Sequence, residues 1–417
     1  MTPTILILIS GLGLLLVGVG LLGTLLGVRA TLESFSNVQA GLIMAGYYFG
    51  YIGGTLLAPG IIRRVGHIRS FAAFSAVTAS CALGFGIAVH PWVWTLLRVL
   101  NGLCVVALYM VVESWLNEQS AGPARGRIFS FYMTSTLFAL GIGQFLLLAG
   151  DPAGLEPFAL AAILISLGLV PVAITRVHEP RIDLAVPLPM GELLRISPLG
   201  AFGSLCAGMV NGIFWGMTAV FGQRLALEHS QIALLMSTTI LGGAILQWPI
   251  GHLSDRFDRR NVLIATSLAT ALAASIAGYI VLNGFPGLTL TAGLYGGLMF
   301  ALYGISVAHT NDHLDPGHIL GATRGLLLIY GVGAMSGPLL GGIAMELVGP
   351  VGLPALSAAT AALLALFGIY RVMRRSPPPL EQQTAYVPLV RTTPVALEMH
   401  PDADPSPELD LSEPDQQ

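Results

Sequence analysis

The chain has 417 residues, of which 54% are hydrophobic and only 10% charged, with a formal net charge of −3. A water-soluble domain carries roughly 25% charged residues, so this composition excludes a chain that covers a water-facing surface of its own size. All 19 basic residues are arginines scattered through short loops, which excludes a nucleic-acid-binding face.

Apolar stretches of roughly twenty residues, the length that spans a bilayer, recur along the whole sequence. The first has no basic residue ahead of it and is too long for a secretory signal core, so it reads as a retained first span. Windows between charged or Pro/Gly breaks predict spans at 4–28, 38–62, 70–90, 92–115, 127–149 and 156–176. A second set follows at 198–222, 231–252, 261–282, 287–308, 321–345 and 350–371. The expected fold is therefore an all-α membrane protein of twelve transmembrane helices in two pseudo-symmetric six-helix bundles. The expected organisation is an amino-terminal bundle at 1–177, a cytoplasmic linker at 178–197, a carboxyl-terminal bundle at 198–375 and a tail at 376–417. That tail holds eight acids and one base, Arg391, and is proline-rich, so it is expected to be disordered.

Arginine placement orients the chain, because loops on the cytoplasmic side retain positive charge. With the amino terminus inside, sixteen of the 19 arginines fall on the cytoplasmic side, Arg29 and Arg224 outside, and Arg98 within a span. Both termini are thus expected to be cytoplasmic. The three cysteines, Cys81, Cys104 and Cys206, lie in apolar stretches without metal-ligand or redox spacing and read as packing residues. His309, Asn311 and Asp312 at the end of the tenth span read as a loop-capping cluster rather than a metal site. No cofactor or metal is expected.

The two sets of spans are related in sequence. The fourth span carries Gly102, A-L-Y at 107–109 and Asn117; the tenth carries Gly296, A-L-Y at 301–303 and Asn311, each pair 194 residues apart. R-R-V-G-H-I-R at 63–69 stands where D-R-F-D-R-R-N stands at 255–261, and R-G opens both the fifth and eleventh spans. Internal repeats of this kind are a common transporter construction.

Three motifs carry a resemblance. Gly251-His-Leu-Ser-Asp255-Arg256-Phe-Asp-Arg259-Arg260 resembles the loop signature G-x-x-x-D-R-x-G-R-R of the major facilitator superfamily, departing only at Asp258. Arg98-x-x-x-Gly102 is similar to that superfamily's fourth-helix signature. Gly333-x-x-x-Gly337-Pro338-x-x-Gly341-Gly342 is similar to the antiporter signature, here in the eleventh span rather than the fifth. V-V-E-S at 111–114, R-G-R at 125–127, G-Q-F-L-L at 143–147 and L-Q-W-P-I-G at 246–251 resemble the bacterial YcaD-like branch. The resemblance implies a monomeric secondary transporter in a bacterial cytoplasmic (inner) membrane, with a small organic solute and protons as partners. No nucleotide-binding signature occurs, and no constellation of catalytic residues lies within the spans, so an enzyme is not expected.

Ionisable groups at membrane depth are costly and are functional candidates by default. Two stand well inside predicted spans, Arg98 and Glu113, both in the fourth. Their fifteen-residue separation is ~22 Å along a helix, so they share a broad face but cannot touch. Arg98 matches the arginine that the resemblance links to proton coupling, and reads equally as a structural group bonding helix carbonyls. Glu113 reads as a protonatable group or as a carboxylate paired with Arg127. Tyr47, Tyr51, Asn101, Tyr109, Gln144, Asn211, Trp215 and Gln247 are candidate cavity groups, since aromatic and amide groups suit an organic solute; a buried amide needs partners, so Asn211 and Gln247 read as facing a cavity or another helix. A cytoplasmic gate is expected from Gly251, Asp255, Arg256, Arg259 and Arg260, where a carboxylate with arginines a turn away can lock helix ends together. Its first copy has Arg63 and Arg64 without the acid, and Glu118 with Arg125 resembles the E-x6-R loop of sugar porters. Gly333, Gly337, Pro338, Gly341 and Gly342 make a bend plausible in the eleventh span, against tight packing without motion. The antiporter-like signature favours export and the porter-like loop favours uptake, by symport or uniport. A sensor signalling through the tail is the remaining alternative.

Overall fold

The structure is a computed structural model that describes residues 3–119, 125–174, 188–284, 286–374, 386 and 393. Among the described residues there is no strand, and twelve helices are long and apolar enough to cross a membrane. The first set is α1 (Pro3–Leu32), α2 (Asn37–Val65), α3 (His67–Ile87), α4 (Pro91–Glu118), α5 (Arg125–Phe145) and α6 (Glu156–Ile174). A short helix, α7 (Met190–Ile196), leads into the second set: α8 (Pro198–Arg224), α9 (His229–Arg256), α10 (Arg259–Asn283), α11 (Leu288–Asn311), α12 (Ile319–Val348) and α13 (Gly352–Arg374). With an even number of crossings, the start of α1 and the end of α13 lie at one end of the molecule. We call that end proximal and the other distal.

Local chemistry sets the helix ends. Ser36 and Gln39 form a reciprocal capping box at the start of α2, and Glu228 and Gln231 do the same for α9. Pro91 and Pro198 occupy first-turn positions, where a missing N–H costs nothing. α10 ends on Gly284 at φ 67°, a left-handed conformation that glycine adopts without strain. The linker is expected at 178–197. It contains α7, which buries Leu193 against α12 at Gly325, while residues 178–187 fall outside the described ones.

The two sets repeat one packing pattern. α1 packs on α5 and α6, α2 on α4, and α3 on α4 and α6; correspondingly α8 packs on α12 and α13, α9 on α11, and α10 on α11 and α13. The sets meet where α2 faces α12, α5 faces α9 and α1 faces α8. Lipid supplies no hydrophobic drive between helices, so close backbone approach through small residues has to hold them. Gly102 presses the backbone of Tyr47, and its repeat partner Gly296 presses that of Thr239. A Cβ at either position would collide with a carbonyl oxygen.

The glycines read as a bend serve the same end. Gly333 and Gly337 press the backbone of Leu205 and Met209 on α8, and Gly342 that of Asn37 on α2. The carbonyl of Pro338 faces Gly41 on α2 and its ring faces Gly216 on α8, while α12 continues through Pro338 as one helix. This motif is thus a three-helix junction spanning both sets.

Gly102→Val should lower thermal stability in detergent by about 1–3 kcal/mol, the usual cost of overpacking. Gly53→Ala, where a Cβ meets nothing within 4 Å, should leave it unchanged.

Candidate functional site

Two interior spaces lie where the helix sets face each other. One is walled by Thr24 on α1, Tyr47 on α2, Arg98 on α4, Trp215 on α8 and Met236 on α9. The other is walled by Tyr47, Tyr48 and Tyr51 on α2, Tyr303 on α11 and Tyr330 on α12. Tyr47 belongs to both walls, and Arg98 is the one charged side chain among the described residues that line them.

Arg98 is 7% exposed, with its guanidinium 4.7 Å from the centre of the Tyr47 ring and Nη2 donating to the Met44 sulfur at 3.3 Å. A cation over an aromatic face is stabilised by about 0.5–2 kcal/mol, more when water is excluded. The Tyr303 hydroxyl is buried on this wall and has no hydrogen-bond partner among the described residues.

Of the cavity candidates, Tyr47, Tyr51 and Trp215 are on these walls. Gln144 and Asn211 are not among the residues that form these walls. Gln144 accepts from Thr24 and donates to Leu140 O at 2.8 Å and Gly20 O at 3.3 Å, tying α5 to α1, and Asn211 donates to Ala207 O of its own helix at 2.9 Å. In both, the buried amide donates to a nearby backbone carbonyl. Asn101, Tyr109 and Gln247 are buried and are not among the residues that form these two walls. Tyr48, Tyr303, Tyr330, Thr24 and Met236 are wall residues that sequence reasoning missed. Tyr303 had a signal, since it is the repeat partner of Tyr109.

Glu113 lies toward the proximal end of α4 and is fully buried. The Tyr132 hydroxyl on α5 donates to its Oε1 at 2.7 Å, and Thr393 donates to Oε2 through its hydroxyl and, at 3.3 Å, its N–H. Arg127, the partner considered from sequence, is exposed on the first turn of α5. Arg98 and Glu113 are not brought together, as expected for two positions on one unbroken helix.

The loop signature forms an ion-pair network at the proximal end. Arg259, with its side chain 1% exposed, reaches Asp255 and Asp312, both at 3.2 Å. Arg260 grips Asp258 with Nη2 at 2.7 Å and Nε at 3.1 Å. Partial burial raises the Asp258 carboxyl, but hydrogen bonds from the Arg260 side chain and backbone outweigh it and hold the group below the usual carboxylate range. Asp312 is the C-cap residue of α11, as read from sequence, and is also the buried acid of this network, because α11 brings its end over the start of α10. The network joins α9, α10 and α11 within the second set rather than locking the two sets together. Arg256, Arg63, Arg64 and Glu118 are exposed, and Gly251 is buried. Arg125 opens α5, and its side chain lies outside the described residues.

The distal end is sealed across the sets. Arg224 at the end of α8 donates to the Asn37 side chain at 2.9 Å and to Phe35 O at 2.7 Å. The Asn37 N–H in turn donates to Glu346 on α12 at 3.1 Å. Gly27 allows α1 to press against Ala219 on α8 just below.

Two repeated sets of apolar helices meet around two interior spaces and are joined by hydrogen bonds at the distal end, and the comparisons with known proteins point to a membrane transporter. Residues 200–399 match the sequence profile of the Major Facilitator Superfamily. The uncharacterized MFS-type transporter YcaD of Escherichia fergusonii is 27% identical over 339 residues, covering 81% of this chain and 87% of that protein. The YcaD of Salmonella arizonae is 26% identical over 341 residues, with the same coverage. Among solved structures, the nucleoside transporter NupG matches with a TM-score of 0.72 at 15% identity, covering 90% of this chain and 100% of that one. A bacterial homologue of the human lysosomal transporter Spinster matches with a TM-score of 0.63 at 14% identity, covering 89% of this chain and 96% of that one. The chain's sequence likeness thus runs to the YcaD-like transporters of the major facilitator superfamily, and that superfamily's profile matches residues 200–399.

Removing one partner from a buried ion pair typically costs about 3–5 kcal/mol. Arg259→Ala, which takes the cation away from Asp312, should therefore lower the melting temperature sharply. The double variant Arg259→Met with Asp312→Leu should recover most of the loss in the same assay.

Proposed function

We propose that the chain is a secondary transporter of a small organic solute, working by alternating access and coupled to protons, with export as its direction. The observation that carries this reading is the pair of spaces between the sets, which share Tyr47 and are lined by aromatic side chains and one arginine, with Arg224 and Asn37 joining the sets at the distal end. Tyrosine and tryptophan faces suit a flat apolar body. Arg98 favours a negatively charged group over a positive one, because a charge interaction at low dielectric is many times stronger than in water. Aromatic and hydroxyl groups do not make an ion-selective ring.

Proton coupling is supported by Glu113. A buried carboxylate held by a tyrosine and a threonine hydroxyl can accept a proton without leaving a bare charge in the membrane. Its position on the same helix as Arg98 offers a mechanical link between the two. The arginine bias supports a cytoplasmic proximal end with the distal end facing outward, and the likeness to bacterial YcaD proteins supports a multi-pass position in the inner membrane. The antiporter-like junction at Pro338 lies between the sets, where a rocking motion would act, and this favours export over uptake.

Thermal stability of the purified protein against a panel of organic anions, cations and neutral isosteres, at acid and neutral pH, tests this. A ligand at 100 times its dissociation constant adds about 2.7 kcal/mol. Aromatic anions should stabilise the wild type, lose their effect in Arg98→Ala, and show no pH dependence in Glu113→Gln. Stabilisation by organic cations alone would contradict the charge assignment.

A further inference from the structure

Where α7 joins α8, the proximal end carries an apolar groove and a basic pocket side by side. The groove runs between α7, α8, α12 and α13 and is walled by Leu194, Phe202, Leu205, Val332 and Phe367. Phe202 and Phe367 pack with ring centres 4.8 Å apart, which gives it a firm base. Leu194 is 48% and Val332 49% exposed, so the groove opens on the outer surface of the second set. From Pro198 at the start of α8 it reaches Leu205, about two turns or ~10 Å toward the hydrocarbon.

The basic pocket is walled by Ser197, Arg260 on α10, His309 and His313 at the end of α11, and Arg371 on α13. Pro198 lines both spaces, and Phe367 in the groove stands about one helical turn from Arg371 in the pocket. No acid is among the described residues that line the pocket, and Glu192 on α7 lines neither space. Arg260 is already gripped by Asp258, whereas Arg371 makes no ion pair among the described residues. Arg195 on α7 and Arg374 on α13 stand exposed at the same end.

An occupant has to meet a cation at the proximal surface and, one turn deeper, an apolar channel open to lipid. A phospholipid carries both parts in one molecule. Basic pockets between transmembrane helices favour anionic headgroups, and a headgroup that also bears a cation would place it among arginines with no acid beside it. The geometry points to this crease as a binding site for an anionic phospholipid of the proximal leaflet, with its phosphate against Arg371 and one acyl chain along the groove. Seated there, the lipid fastens α7, the short helix leading into the second set, to α8 and α13. The site does not depend on the transport reading above.

Native mass spectrometry of the full-length protein in detergent tests this, with phosphatidylglycerol and phosphatidylcholine of identical chains as the probes. The wild type should bind phosphatidylglycerol about tenfold more tightly. Arg371→Gln should remove that preference and Arg371→Lys should keep most of it. Arg69→Gln, which deletes an exposed charge on α3 at the same end, should leave it intact. Leu194→Gln, at a half-exposed wall position, should weaken binding of both lipids severalfold. Equal binding of the two lipids by the wild type would overturn the inference, and that comparison needs no variant. A preference that survives Arg371→Gln, or that falls as far in Arg69→Gln, would also overturn it, because the charge would then be read diffusely. Displacement of phosphatidylglycerol by millimolar inorganic phosphate would mark a site for a free anion and overturn the lipid assignment.

Discussion

A backbone that crosses hydrocarbon has no water to bond to, so each crossing closes its hydrogen bonds within a helix. Once that is met, the helices still have to hold one another in a medium as apolar as their own side chains. Here glycine does it. Gly102 on Tyr47, Gly296 on Thr239, Gly333 on Leu205 and Gly342 on Asn37 bring backbones into direct contact along the seams within and between the sets. The cavity exists because these seams are tight around it: α2 can present Tyr47, Tyr48 and Tyr51 to α11 and α12 only while Gly41, Gly102 and Gly342 fix its position.

The polar groups divide the molecule by depth. At the distal end, Arg224, Asn37 and Glu346 join the sets through exposed hydrogen bonds, which water can replace at small cost. Between the two ends, the Arg98 guanidinium lies over the Tyr47 ring. At the proximal end, Arg259, Asp255 and Asp312 stiffen the second set, while the first set offers Glu113. An exposed latch at one end and rigid, separately stabilised surfaces at the other suit a structure that opens and closes by rocking.

The fold was largely legible in the sequence, because the signal for a transmembrane helix is long and compositional, and the repeat left matched residues such as Gly102 and Gly296. Arg98 and Glu113 were legible because charge is rare at that depth. The rest of the site was harder for identifiable reasons. A tyrosine in an apolar run reads as packing, so Tyr48, Tyr303, Tyr330 and Tyr132 carried no mark of their own. Burial of an amide predicts a partner without naming it, so the sequence does not say that helix carbonyls take the amides of Gln144 and Asn211. Asp312 looked like a loop residue because its partner Arg259 is more than fifty positions away. Thr393, the donor to Glu113, was hidden by the acidic, proline-rich composition around it, and most of that tail lies outside the described residues.

Alternation between a distally sealed and a distally open state is the central claim, and paired spin-label distances in liposomes address it most directly. Labels at the exposed positions Glu33 and Glu228 report the distal end, and labels at Arg64 and Arg256 the proximal end. Arg224→Ala, which removes the distal latch, should widen the first distance and narrow the second within the same sample. Two distances that stay fixed, or that widen together, would contradict the account.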